Sequence, residues 1–127
     1  MNMAVIQKQI RLAGSLGSRD EIALFDSGST YSCIHPDLAR QLGHVETTSE
    51  PLTFTTAKDG ETLRAEEVVR LDFYLSGYRF SDEFMLIPDL SERVLIGAKT
   101  LQAWRMKLDF ENDDIIIDPR VTKLRLM

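Results

Sequence analysis

The chain has 127 residues, a net charge of −5 at pH 7, 43% hydrophobic residues and one cysteine. This length suits one hydrophobic core, so we predict a single domain over residues 1–127. The acidic balance argues against nucleic acid as a partner, because phosphates require a basic surface. No apolar run approaches a membrane span, and residues 1–13 lack the layout of a secretory signal, so we expect no membrane partner and a cytoplasmic location.

Turn residues and alternating apolar positions predict a mostly β chain with two short helices. The predicted strands cover residues 5–12, 21–25, 31–34, 51–57, 62–69, 68–75, 78–86, 106–110 and 115–117. The turns between them fall at residues 14–18, 58–61, 76–77 and 112–113. One helix is predicted over residues 36–42, with proline in its first turn and Gly43 as its C-cap, and a second over residues 100–104.

The segment from residue 23 to residue 30 reads Ala-Leu-Phe-Asp-Ser-Gly-Ser-Thr, so an apolar strand ends abruptly in the carboxylate of Asp26. A carboxylate held against apolar neighbours needs hydrogen bonds or a proton. Residues able to donate hydrogen bonds, or to admit a close backbone, follow it at once: Ser27, Gly28, Ser29 and Thr30. Taken alone, Asp-Ser-Gly is more often an ordinary turn.

A second short apolar run, Val94-Leu95-Ile96, closes with Gly97 and precedes a helical pattern. In order and spacing the two motifs resemble those of the retroviral-like (retropepsin-type) aspartic proteases. That family has a hydrophobic-hydrophobic-Asp-Ser/Thr-Gly motif in its first half and a hydrophobic-hydrophobic-Gly motif before a short helix in its second half. The resemblance covers about residues 5–118. It implies an all-β fold: a closed β-barrel of the acid-protease half type, with one or two short helices and a flap hairpin, functional as a homodimer.

The resemblance also implies a role for each motif residue. Asp26 is the catalytic aspartate, supported by Ser27, Gly28, Ser29, Thr30 and Gly97. Ser27 would bind across a two-fold axis, Ser29 would donate to the outer carboxylate oxygen, and Gly97 would let its strand pack behind the loop. Peptide hydrolysis by this class needs two carboxylates that share one proton, and the chain has only one Asp-Ser-Gly. We therefore predict an aspartic endopeptidase whose homodimer takes Asp26 from each chain and cleaves a peptide or protein substrate.

Asp59-Gly60 between two β-prone runs is a strong hairpin signal, and base rates favour an ordinary surface hairpin. In the resemblance it stands in the place of the flap, which covers the substrate, and its position between the two motifs favours that interpretation. The flap and substrate-binding residues would be Thr55, Thr56, Ala57, Lys58, Asp59 and Gly60.

The chain departs from the retroviral pattern at two positions. Thr30 and Ala98 stand where those members carry an aspartate and an arginine that form an ion pair, so both charges are missing together. The family builds its dimer sheet from chain termini, which makes residues 1–6 and 123–127 candidates for that sheet here.

The remaining candidate catalysts have simpler interpretations. Cys33 is predicted to be a buried apolar filler, because nothing near it in sequence would activate a thiol. His35 and His44 lie in no catalytic or metal-ligand spacing, so we expect capping or solvated roles, no metal site and no cofactor. Two rivals stay open: a non-catalytic dimeric β-domain of the same fold, acting as a peptide-binding or assembly module, and a domain that processes only its own precursor.

Overall fold

The computed structural model describes residues 5–55 and 62–122, which form nine strands and three short helices. The strands are β1 (Val5–Gly14), β2 (Gly17–Asp26), β3 (Cys33–Ile34), β4 (Val45–Thr55), β5 (Thr62–Leu75), β6 (Tyr78–Leu86), β7 (Val94–Ile96), β8 (Lys107–Asp109) and β9 (Asp114–Ile116). The helices are α1 (Pro36–Leu42), α2 (Ala98–Ala103) and α3 (Pro119–Thr122). The sequence did not predict α3.

Six of the strands close into a barrel. Their hydrogen-bonded order is β1-β2-β7-β3-β6-β5, and β5 returns to pair with β1. Strand β4 lies outside this ring on the free edge of β5, and β8 pairs only with β9 in a separate hairpin among the described strands. The predicted all-β fold with a closed barrel is confirmed.

The first hairpin is longer than the sequence predicted. Gly14 pairs with Gly17, so the turn predicted over residues 14–18 shrinks to Ser15 and Leu16. A Cβ atom at Gly14 would lie 2.1 Å from the Leu42 carbonyl oxygen, so glycine is needed where β1 passes the end of α1.

Of residues 1–6, the candidates for a dimer sheet, the structure describes only Val5 and Ile6, and the dimer sheet stays a prediction. Val5 and Ile6 pair with Asp26 and Phe25 of the same chain, and Ile6 is buried, so both belong to the barrel. Residues 1–4 and 123–127, the rest of that prediction, lie outside the described residues.

Two hydrophobic clusters fill the molecule. The larger one lies inside the barrel, where alternate residues of β5 point inward, among them Leu71 and Phe73. The Phe73 ring stacks on Phe80 at 5.1 Å, and Phe80 meets the Trp104 ring edge-on at 5.2 Å, which holds the end of α2 against the barrel. The smaller cluster consists of Cys33, Phe54, Leu63, Ala65, Val68, Met85, Ile87 and Leu95.

Most local predictions hold. Helix α1 has the predicted bounds, and His35 caps it by accepting the Asp37 N–H at Nδ1, 3.2 Å away. The turn between β5 and β6 puts Ser76 and Gly77 at φ 53° and 82°, the left-handed region that short hairpin turns require. The tip of the hairpin predicted around Asp59-Gly60 lies outside the described residues, which resume with β5.

Candidate active site

Asp26 ends strand β2 at the edge of the barrel. β2 runs parallel to β7, with Phe25 opposite Ile96, so the two strands end together and Asp26 and Gly97 leave them side by side. The Asp26 residue is only 4% exposed, and it is the one buried acidic residue within residues 5–55 and 62–122. A lone buried carboxylate is costly for stability, and such groups cluster at functional sites.

The loop after Asp26 folds back on the carboxylate. The Gly28 N–H donates to Asp26 Oδ1 at 2.8 Å, and the Ser29 N–H donates to the Asp26 carbonyl oxygen at 3.3 Å. Ser27, between them, is exposed. The loop therefore holds one carboxylate oxygen against a backbone donor and carries the Ser27 side chain to the surface.

The structure gives Ser29 and Thr30 other partners than the sequence predicted. Ser29 is fully buried, and its hydroxyl donates to the Tyr31 carbonyl oxygen at 3.0 Å, so its single proton is directed away from the Asp26 carboxylate. Thr30 is exposed, and its carbonyl oxygen accepts the Lys99 N–H at 3.0 Å. Both residues brace the loop through contacts with backbone groups.

The start of α2 lies directly against this loop. The Ala98 N–H donates to the Ser29 carbonyl oxygen at 2.6 Å, next to the Lys99 bond to Thr30. A Cβ atom at Gly97 would lie 2.5 Å from the Tyr31 carbonyl carbon and oxygen and 2.8 Å from the Ser29 oxygen. Only glycine allows so close an approach. The apolar-apolar-glycine motif that ends at Gly97 thus packs behind the Asp-Ser-Gly motif that begins at Asp26.

Two buried hydroxyl groups that the sequence did not single out complete the support of the loop. The Ser32 Oγ accepts the Gly97 N–H at 3.0 Å and lies 2.6 Å from the Thr100 Oγ1, and both side chains are buried. Ser32 lies between Tyr31 and Cys33, which was the available signal for it, whereas Thr100 follows the charged Lys99 and carries no such signal. The partners are 68 residues apart, so the pairing is invisible before the chain folds.

Cys33 is fully buried beside this loop, as predicted. Burial, and in second place the negative charge of Asp26, raise the pKa of the Cys33 thiol to about 12. The thiol is therefore protonated at neutral pH and unsuited to act as a nucleophile.

Two acidic residues near the C-terminus, Asp114 and Asp118, have basic partners. Asp114 contacts Lys8 at 3.4 Å, and the Ile115 N–H and then Lys8 lower the pKa of its carboxyl group. Hydrogen bonds from the Arg120 side chain and backbone lower the pKa of Asp118 to about 2. Across the described ranges, no three His, Cys, Asp or Glu side chains converge as a metal ion would need.

The base of the central hairpin contacts the loop after Asp26 through aromatic rings. Phe54, near the end of β4, meets the Tyr31 ring edge-on at 5.1 Å, and the Lys99 ammonium lies 5.1 Å from the centre of the same ring. Thr55 is exposed at the last position of β4. The other predicted flap residues, Thr56, Ala57, Lys58, Asp59 and Gly60, lie outside the described residues.

An open groove of about 360 Å³ begins at Ser27 and runs between α2 and β8. Its apolar lining includes Leu101, Met106, Leu108 and Phe110, the last of which is 41% exposed.

No helix within the described residues is long and apolar enough to cross a membrane.

Comparison of the fold with solved structures identifies its type. The chain is similar to the retroviral protease-like domain of Ddi1 from Leishmania major, with a TM-score of 0.65, 19% identity and 90% of each chain covered. It is also similar to the protease of simian foamy virus (mac), with a TM-score of 0.47, 17% identity, and 79% of this chain and 98% of that one covered. No family model and no curated protein matches the sequence. The chain has a retropepsin-like fold, and this assignment rests on the first of the two structures.

Proposed function

We propose that the chain is an aspartic endopeptidase that works as a homodimer, with Asp26 of each copy forming the catalytic pair. The observation that carries the proposal is the buried Asp26 at the end of β2, in a loop clamped by the start of α2, within a retropepsin-like fold. A domain that only bound peptides or assembled with a partner would have no need of a costly buried carboxylate at this position.

A second copy is required by the chemistry. Two carboxylates must lie close enough to share one proton, and within the described residues no other acidic residue is buried beside Asp26. If a two-fold axis brings the two Asp26 carboxyls together, it must pass close to the adjacent Ser27. The exposed Ser27 then faces the partner, and the groove that begins at Ser27 lies next to this contact.

In the proposed dimer the ionised Asp26 carboxylate accepts a proton from a water molecule, and the water oxygen bonds to the carbonyl carbon of the peptide. The protonated Asp26 of the other copy donates its proton to the carbonyl oxygen, which yields a neutral diol. The leaving nitrogen then takes a proton from the pair of Asp26 carboxyl groups, here called the dyad, as the C–N bond breaks. A hydroxyl proton of the diol returns to the dyad, which again holds one proton.

The experiment is the substitution Asp26→Asn, tested on a peptide library with mass-spectrometric detection of cleavage. The amide is nearly isosteric but cannot accept the proton, so we expect loss of cleavage, and of binding to a pepstatin-like hydroxyl inhibitor, in a chain that still folds. Asp113→Asn is the matched control, because Asp113 is exposed in a turn with φ 51°, a conformation that asparagine tolerates. Undiminished cleavage by Asp26→Asn would rule out the assigned mechanism.

The same assay separates the rivals. A non-catalytic module predicts a dimer in which the wild-type chain cleaves no peptide. A domain that processes only its own precursor predicts cleavage of a longer form of this chain and of no library peptide.

A further inference from the structure

A line of polar groups links the loop after Asp26 to the Asp82 side chain on strand β6. The Gly97 N–H donates to the Ser32 Oγ at 3.0 Å, the Ser32 and Thr100 hydroxyl oxygens lie 2.6 Å apart, and the Thr100 hydroxyl donates to Asp82 Oδ2. Ser32 and Thr100 are each 2% exposed, so their hydroxyl groups must form their hydrogen bonds with protein groups rather than with solvent.

The donors and acceptors along this line can be ordered. A carboxylate only accepts hydrogen bonds, so the single Thr100 proton is used on Asp82. The Thr100 oxygen must then accept the Ser32 proton, which leaves the Ser32 oxygen to accept the Gly97 N–H. Every proton points from Gly97 toward the charge of Asp82, and in such a chain each bond polarises and strengthens the next.

The line ends where α2 clamps the Asp26 loop. Gly97, Ala98 and Lys99 donate three consecutive backbone N–H groups to the segment that follows Asp26: the first to the Ser32 side chain, the next two to the Ser29 and Thr30 carbonyl oxygens. The Ser32 hydroxyl is therefore the first of three anchors that hold one backbone segment against the other.

We propose that Asp82, Thr100 and Ser32 are positioning residues for Asp26: through this ordered line they hold the start of α2 against the loop and so set the place of the catalytic carboxylate. The inference rests on the proposed function. None of the three residues needs to touch the substrate. Hydrogen bonds fix distances more narrowly than apolar contacts do, and a carboxyl displaced by about 1 Å from its productive place can lose roughly 100-fold in rate.

The test compares three variants of the full chain. Thr100→Val keeps the volume and removes the hydroxyl, so it breaks the line, whereas Thr100→Ser keeps the hydroxyl. Leu12→Val is the control for general loosening: Leu12 is fully buried in β1 but pairs with Arg19, seven residues along the ladder from the Val5–Asp26 pair. That separation corresponds to roughly 20 Å.

The first readout is cleavage of the best-cleaved library peptide, at a temperature where all variants are folded. We expect Thr100→Val to lower kcat at least about tenfold with KM changed less than about twofold, because misplacement of the carboxyl slows the chemical step rather than binding. Thr100→Ser should retain kcat within about threefold, and Leu12→Val should remain near wild type. Equal losses in Thr100→Val and Leu12→Val, or no rescue by serine, would overturn the proposal.

The second readout is hydrogen exchange of the Ala98 and Lys99 amides, measured by NMR in the same variants. In Thr100→Val these two amides should exchange faster relative to the slowest barrel amides, and in Thr100→Ser and Leu12→Val they should not. If the wild-type chain cleaves no peptide, the proposed protease function fails and this readout still decides the positioning claim. Unchanged exchange of both amides in Thr100→Val would refute it.

Discussion

Replacement of Gly97 by alanine tests whether the two motifs are packed as closely as the structure has them. The added Cβ atom would lie 2.5 Å from the Tyr31 carbonyl carbon and oxygen and 2.8 Å from the Ser29 oxygen. All three atoms belong to the backbone of the loop after Asp26, so no side-chain rotation can relieve the clash. Either the loop or the start of α2 must shift.

The cost can be estimated from general magnitudes. Inserting a methyl group into a tightly packed site typically costs about 1–3 kcal/mol, and a clash with backbone lies at the upper end of that range. Alanine also stabilises the fold by about 0.4–1 kcal/mol, because it restricts the unfolded chain more than glycine does. The free energy of unfolding should therefore fall by about 2 kcal/mol in total. For a domain of this size, that corresponds to a Tm lower by roughly 6–10 °C.

The assay is urea and thermal unfolding at one fixed chain concentration, because association would shift the apparent Tm. Gly17→Ala is the matched control, because its Cβ atom would meet only the Gln41 carbonyl oxygen, at an ordinary 3.6 Å. We expect its free energy of unfolding to be unchanged or higher by up to about 1 kcal/mol. Equal stability of Gly97→Ala and Gly17→Ala would contradict the close packing behind the Asp26 loop.

Three further predictions address the dimer, the dyad and Cys33. In the proposed dimer each chain supplies half the site, so activity per chain should fall steeply on dilution, and a fully active monomer in sedimentation would exclude the dimer. The proposed mechanism uses one carboxyl group as the acid and the other as the base, so the cleavage rate should pass through a maximum with pH; a rate rising steadily through pH 8 would indicate a single base. Folding raises the pKa of the Cys33 thiol from 9.0 to about 12, so between these values the thiol loses its proton more easily in the unfolded chain. The contribution of Cys33 to the free energy of unfolding is therefore complete below about pH 9 and is lost as the pH rises toward 12. Cys33→Ala should therefore flatten the decline of the unfolding free energy over that range, and an unchanged slope would count against the raised pKa.

The local elements follow from local chemistry, so the sequence alone determined them well. Apolar alternation and Asp, Asn, Gly and Ser turns predicted the β5–β6 and β8–β9 hairpins, and proline and glycine predicted both ends of α1. The Asp-Ser-Gly motif at the end of an apolar strand was enough to single out Asp26 as the candidate catalytic residue. These features depend on neighbours within a few residues, and their signals are correspondingly direct.

Only the tertiary structure decided which distant groups meet. β7 lies between β2 and β3, far from both along the chain, and this placement brings Gly97 against the Asp26 loop. It also determines that Ser29 bonds to the Tyr31 carbonyl oxygen, that Val5 and Ile6 belong to the barrel, and that Thr100 reaches Asp82. A hydroxyl group can bond to many partners, and its sequence neighbours carry no record of which one barrel closure will bring within hydrogen-bonding distance.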